Sequence, residues 1–328
     1  MGKLIDGVWQ KEAFSPETEG GRFVRPDSPF RDWVRRDGST GFPAESGRYH
    51  LYLSLACPWA HRTLIFRKLK GLEEAITISI VDPIMGEEGW HFSEGPGCIP
   101  DTVNGCAYLR EVYVKGDPRY TGRVTVPLLW DKQAGTAVSN ESADIIRMLN
   151  SEFDHIADDR LDFYPEALRG EIDAVNAWVY NDINNGVYRT GFAQTQEAYE
   201  EAFDALFGAL DAVEDRLAEH RYLVGNRLTE ADWRLFTTLV RFDPVYVGHF
   251  KCNRQRIADF PNLVGYLREL YQVPGVAETV DLDHIKRHYY GSHPTLNPTG
   301  IVPKGPRLRY DGPHDRDRFP REGPFPGA

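Results

Sequence analysis

The sequence predicts an α/β N-terminal domain followed by an all-helical C-terminal domain. Three observations carry this. Residues 49–81 read as a strand, a helix and a second strand in succession, the pattern of a parallel βαβ unit. Residues beyond about 160 read as amphipathic helices, with apolar side chains returning at helical spacing. The 328 residues suffice for two ordinary cores. The boundaries that follow are an N-terminal arm at 1–46, the α/β domain at 47–150, the helical domain at 151–290 and a C-terminal tail at 291–328.

Composition excludes several functions. Lys and Arg number 38 against 49 Asp and Glu, a net charge of −11. So acidic a chain lacks the electrostatic footprint of a nucleic-acid binder, and short basic runs such as Arg35-Arg36 read as solvated surface. Four cysteines, Cys57, Cys98, Cys106 and Cys252, are too few for a disulfide framework. Their spacing matches no zinc site, so no metal is expected. No signal-peptide pattern opens the chain, and no run of about 18 apolar residues marks a membrane span. The expected location is the cytoplasm, where a reactive thiol stays reduced.

Taken in order, residues 1–46 are rich in Gly, Pro, Arg and Asp, yet Trp9, Phe14, Phe23, Phe30, Trp33 and Phe42 recur. They predict an ordered arm lying on the body. Residues 49–55 are a strand, and Pro58 fits the first turn of a helix, where its missing N–H costs nothing. The helix runs on with Leu64, Ile65 and Leu69 on an apolar side and Arg62, Arg67, Lys68 and Lys70 on a polar one. Gly71 stops it. Cys57 therefore stands at a helix N-terminus, where unpaired N–H groups and the helix dipole favour a thiolate. An ordinary cysteine, with a pKa of about 8.5, is only a few per cent thiolate at neutral pH. Read against this is a merely buried core cysteine. The motif is Cys57-Pro58-Trp59-Ala60 and lacks the second cysteine of a dithiol redox helix. A disulfide on Cys57 would be resolved most simply by an external thiol.

Residues 75–81 are the second strand, and 82–104 form a long insertion of the kind that is more often functional than idle. Residues 108–114 read as a short helix. Residues 124–130 are an apolar strand broken by Pro127, which fits better at the strand's start, where a cis bond could turn the chain. Asn140 is placed to cap a helix opening at Glu141-Ser142, a second anion-friendly helix end. There Glu141 is able to hold an amine and Ser142 to donate to a carboxylate. In the helical half, residues 168–183, 196–220, 233–241 and 263–270 are helices. Thr229-Glu230-Ala231-Asp232 reads as a capping box with Asp in the usual Glu position. The tail is too rich in Pro, Gly, Arg and Asp for a packed domain.

The Cys-Pro-Trp-Ala helix start, the Thr125-Val126-Pro127 turn, the Glu141-Ser142 helix start and the Leu228–Asp232 cap occur in this order. Together they resemble a glutathione transferase, with a thioredoxin-like first domain and an all-helical second. Cysteine in the reactive position resembles the omega-like branch. Gly122–Lys132, Ala231–Tyr246 and Gly248–Asn253 narrow the resemblance, over about residues 1–295, to the glutathionyl-hydroquinone reductases of the Xi class. That family implies glutathione-dependent reduction of glutathionyl-hydroquinones through a Cys57–glutathione mixed disulfide. Glutathione is then a co-substrate, and no cofactor is tightly bound. The family places Val126, Glu141, Ser142, Trp90 and Arg123 around glutathione, and Tyr188 and Tyr289 against the aromatic substrate. It also implies a homodimer. Packing or turn roles stand beside each of these assignments, and Cys98, Cys106 and Cys252 read as structural. Two other functions stay open on sequence: a general omega-like thiol transferase or dehydroascorbate reductase, and a binding protein on the same scaffold.

Overall fold

The structure, a computed structural model, describes residues 2–11, 18–157 and 161–325, so Phe14 of the expected arm lies outside the described residues. Its first residues form two small hairpins, β1 (Gly2–Ile5) with β2 (Val8–Lys11) and β3 (Thr18–Glu19) with β4 (Arg22–Phe23). Each turns on two residues of positive φ, Asp6-Gly7 and Gly20-Gly21, as tight hairpins of matching twist require. The chain divides into two compact units: Met1–Ser15 with Asp27–Asp159 and Thr279–Val302, and Pro16–Pro26 with Arg160–Glu278 and Pro303–Ala328.

In the first unit, β5 (Tyr49–Leu53) is followed by helix α1 (Pro58–Leu69) and strand β6 (Ile76–Ile80). Helix α2 (Leu109–Gly116) leads to the strands β7 (Leu128–Asp131) and β8 (Thr136–Ser139), and α3 (Ser142–Ser151) closes the core. The sheet runs β6-β5-β7-β8. β5 and β6 are parallel, with Tyr49 opposite Ile76, whereas β7 is antiparallel to both β5 and β8. Every residue of β5 is buried, the mark of a central strand covered on both faces. The arm seals the edge at β8: Asp32 N–H donates to Val138 O (2.9 Å) and Asn140 N–H to Phe30 O (3.1 Å). This removes an exposed strand edge. Phe30 also stacks on Tyr120, 5.4 Å between centroids.

Helix α1 departs from the expected amphipathic pattern. Arg62, Arg67 and Lys70 are buried, not solvated. Arg67 donates to Ile76 O (2.6 Å) and Glu73 O (2.8 Å), and Lys70 Nζ meets Asp154 Oδ1 at 2.9 Å. The long side chains reach across the helix end to backbone carbonyls and a carboxylate, so burial leaves their charge satisfied.

In the second unit, α4 (Arg169–Trp178) runs into a π turn at Val179–Asn184 and then α5 (Gly186–Gly191). The long α6 (Gln196–Glu219) buries Leu206, Phe207, Leu210, Val213 and Leu217 along one stripe, each worth roughly 1.5–3 kcal/mol. Helix α7 (Glu230–Arg241) is buried on all sides. A second π turn, Phe242–Tyr246, leads to the single turn α8 (Val247–His249), and then α9 (Pro261–Tyr271). The predicted capping box is present: Asp232 Oδ2 accepts from Thr229 N–H (2.8 Å) and Thr229 Oγ (3.1 Å). The tail has almost no regular structure but is pinned down. Tyr310 OH donates to Val240 O (2.9 Å), and buried Arg316 donates to Leu217 O (2.8 Å) and Arg221 O (3.0 Å) at the end of α6. The last long helix, α10 (Leu282–Ser292), belongs to the first unit. Among the described residues no helix is long and apolar enough to cross a membrane, and no cluster of His, Cys, Asp or Glu is suited to a metal ion.

Candidate functional site

The strand-to-helix turn after β5 places Cys57 at the N-cap of α1, with extended backbone (φ −78°, ψ 124°) and Pro58 beginning the helix. Its carbonyl accepts from His61 N–H at 3.0 Å, the first bond of the helix. The side chain is half-buried. Its sulfur lies 3.5 Å from Val126 O, so two cysteine-bearing forms compete: the helix end favours the thiolate, and the carbonyl accepts from the thiol.

Val126 owes its position to a cis Val126–Pro127 bond directly before β7. A buried network holds this turn. Tyr113 OH donates to Thr125 O (2.8 Å), and Asn140 Nδ2 donates to Tyr113 OH (3.2 Å) and Thr125 Oγ1 (3.3 Å). Burial raises the Tyr113 phenol, which stays protonated as a donor. Asn140 is thus not the cap of α3. That place belongs to Glu141, whose Oε1 accepts from Ala143 N–H at 3.0 Å. Asn140 faces inward because its amide is needed by Phe30 N–H (3.1 Å) and the Tyr113 network.

Glu141 Oε2 accepts from Ser28 Oγ at 3.0 Å, so the arm touches a predicted site residue. Ser142 is buried, and its Oγ accepts from Arg62 Nη1 at 3.4 Å. The Arg62 guanidinium lies 4.5 Å over the Trp59 ring. A buried cation therefore links the Cys57 helix to the start of α3. Two helix N-termini and a guanidinium make this part of the first unit suited to anionic groups.

Of the other predicted residues, Trp90 is 6% exposed and stacks on His288, 4.8 Å between centroids and 23° between planes. Tyr289, next on α10, is 1% exposed and meets His288 edge-on at 5.3 Å. Arg123 is half-buried, and its carbonyl accepts from Tyr120 OH (2.9 Å). Tyr188 lies in the second unit, half-buried in an aromatic cluster of Phe23, Phe192, Tyr246 and Phe250, with Arg25 4.8 Å over its ring. The remaining thiols have other surroundings. Burial and Asp101 push Cys106 up to about 11, and full burial pushes Cys252 up as well, which keeps both as unreactive thiols.

Sequence reasoning missed Arg62, Ser28, Tyr113 and His288. Arg62 reads from the sequence only as part of the polar side of its helix. For His288 a signal was present: His284, His288 and Ser292 recur every fourth residue of α10.

Comparison with known proteins adds the following. Residues 56–152 match the family model described as Glutathione S-transferase, N-terminal domain, and 196–269 match Glutathione S-transferase, C-terminal domain. Glutathionyl-hydroquinone reductase YqjG of Escherichia coli (strain K12) is 56% identical over 324 residues, 97% of this chain and 99% of the relative. Glutathionyl-hydroquinone reductase PcpF of Sphingobium chlorophenolicum is 56% identical over 306 residues, 93% and 96% of the two chains. Among solved structures, the Xi class GST from Natrialba magadii superposes with a TM-score of 0.92 at 53% identity, covering 98% of each chain. The glutathione-bound structure of YqjG from Escherichia coli K-12 gives 0.90 at 54%, covering 97% of this chain and 100% of that one.

Proposed function

We propose a reaction at Cys57 on one premise: the chain belongs to the Xi-class glutathione transferases, in their glutathionyl-hydroquinone reductase subfamily. It is a glutathione-dependent reductase of glutathionyl-hydroquinone-type substrates. The observation that carries the role of Cys57 is its place as N-cap of α1, facing the Val126 carbonyl.

The Cys57 thiolate attacks the sulfur of the glutathionyl group. An S–S bond forms as the aryl C–S bond breaks, and the aryl carbon takes a proton to give the free hydroquinone. A second glutathione, as thiolate, attacks the mixed disulfide, releasing oxidised glutathione and regenerating Cys57. Two glutathione thiols' worth of electrons reduce one carbon–sulfur bond, so the balance needs no other reductant.

In this reading Val126 binds the cysteinyl amide of glutathione through its backbone. Its carbonyl then exchanges the Cys57 thiol for an amide N–H, which frees the sulfur to ionise. Glu141 holds the γ-glutamyl amine and Ser142, supported by Arg62, the adjoining carboxylate. Trp90 and Arg123 line the glycyl end, and Tyr188 and Tyr289 donate to the phenolic oxygens and pack on the ring. Residues 47–150 carry the glutathione contacts, and 151–290 carry the two tyrosines. The protein acts as a cytoplasmic homodimer, a reading supported by its family and by four free cysteines suited to a reducing compartment.

The test compares wild type with C57A on glutathionyl-menadiol and on a simple glutathione mixed disulfide. Turnover of glutathionyl-menadiol that vanishes in C57A supports the reading. Brisk reduction of the mixed disulfide alone would instead make this a general thiol transferase.

A further inference from the structure

We infer that His288 is a positioning residue, fixing the glutathione side of the site relative to the aromatic-substrate side by clasping loop 82–104 to α10. This rests on the roles proposed for Trp90 and Tyr289.

Three residues on one face of α10, each four positions from the next, bind the backbone of that loop. His284 Nε2 donates to Pro96 O (2.7 Å), His288 Nδ1 donates to Pro83 O (2.9 Å), and Ser292 Oγ accepts from Met85 N–H (2.9 Å). Carbonyl oxygens only accept, so these bonds define which ring nitrogen of each histidine carries hydrogen. The loop lies close against the helix. A Cβ on Gly97, which has φ +76°, would sit 2.6 Å from His284 Nε2, and one on Gly291 would sit 2.7 Å from Ile84 Cδ1. Gly97, with its positive φ, permits an approach that a side chain would hinder, and at Gly291 the Ile84 side chain would have to move. The insertion is thus held as a strap on α10.

Within the strap His288 bears on both proposed ligand sides through its ring. One face stacks on Trp90, the Nδ1–H holds the loop at Pro83, and the edge meets Tyr289 and His293, the latter at 5.6 Å. His293 in turn meets Tyr289 at 5.7 Å. A shift of His288 therefore moves Trp90 and Tyr289 together. A clasp that serves packing alone would lower stability without moving KM, which separates the two accounts.

The experiment measures steady-state kinetics of the full-length protein with glutathione and glutathionyl-menadiol, with melting temperatures alongside. The variants are His288→Ala, His288→Phe, Trp90→Ala and Trp90→Ala with His288→Ala. Losing a ring stack and a hydrogen bond should raise both KM values about tenfold in H288A, with a smaller change in kcat. H288F keeps a ring on Trp90 but no donor to Pro83, and it should recover part of the glutathione KM. The double variant should have the glutathione KM of W90A, because the two residues act as one unit. KM values within about twofold of wild type in folded H288A, or single effects that multiply in the double variant, would overturn the inference. If H288A does not fold, the cycle of W90A with H288F decides: coupling supports the clasp and independence overturns it. Wild-type protein inactive on glutathionyl-menadiol would bring down the underlying reaction and this inference with it. An active wild type with unmoved H288 variants would overturn the clasp only.

Discussion

Helices α1 and α7 begin in the same electrostatic situation and use it differently. At α7 the capping anion is the protein's own. Asp232 is buried and accepts from Leu223 N–H (2.9 Å), Thr229 N–H (2.8 Å), Thr229 Oγ (3.1 Å) and Tyr266 OH (2.8 Å). At α1 the cap is a half-buried cysteine, and the first turn contains no acidic residue. A helix N-terminus favours negative charge in both places. Filled by the protein's own buried carboxyl group and shut from water, it secures the fold; offered to a half-buried sulfur that gains and loses a proton, it supports chemistry.

Cutting the two caps should therefore give opposite phenotypes, and the largest effect is at Cys57. C57A should lower turnover about a thousandfold or more, as loss of a nucleophile does, with a urea unfolding midpoint near that of wild type. D232A should do the reverse. It leaves two buried N–H groups and a tyrosine hydroxyl without their acceptor, at about 1–3 kcal/mol each. A loss of roughly 3–5 kcal/mol in urea unfolding is expected, with unchanged glutathione KM in the protein that folds. An appreciable KM change in D232A would erase the contrast.

A smaller effect is expected where the tail closes the end of α6. Arg316→Met should cost about 2–3 kcal/mol by orphaning carbonyls of the α6 end, and it should speed proteolytic cleavage within 303–325. Unchanged proteolysis would show that the tail is held elsewhere.

The smallest effects lie in pH dependence, where the two units differ again. Burial raises Asp232 from 3.8 to about 6 despite its four donors. Its contribution to stability is full below about pH 4 and lost as pH rises through 6. Burial lowers His50, between Thr77 Oγ1 (2.7 Å) and Ser79 Oγ (2.9 Å), from 6.5 to about 4. Its contribution is present above about pH 6.5 and lost as pH falls through 4. Urea unfolding from pH 4 to 7 should show D232N without the decline toward pH 6, and H50Q with less loss on acidification. Parallel curves for wild type and both variants would contradict these assignments.

The features legible in the sequence are those whose cause is local. Pro58 announces the start of α1, Pro127 the start of β7, and Thr229 with Asp232 the cap of α7, because each acts within a few residues of itself. Arg62, Arg67 and Lys70 were misread for the opposite reason. Their partners Ser142, Ile76 O and Asp154 come from other elements, and a charged residue at helical spacing looks solvated until those partners are known. Asn140 was a plausible cap until the arm and Tyr113 claimed its amide. His288 shows only its spacing with His284 and Ser292 in the sequence, because its partners Trp90 and Pro83 are brought to it by the fold. Of the two π turns, the one after α7 contains Pro244, which cannot continue an ordinary helical ladder, whereas the one after α4 contains neither Pro nor Gly.

The most direct test of the central claim is intact-mass spectrometry of wild-type protein mixed with glutathionyl-menadiol at limiting glutathione, followed by peptide mapping. The account predicts one glutathione per chain, on Cys57, with release of one menadiol for each adduct, and loss of the adduct when glutathione is restored. Menadiol released with no protein adduct, or an adduct confined to Cys98 or Cys106, would contradict it.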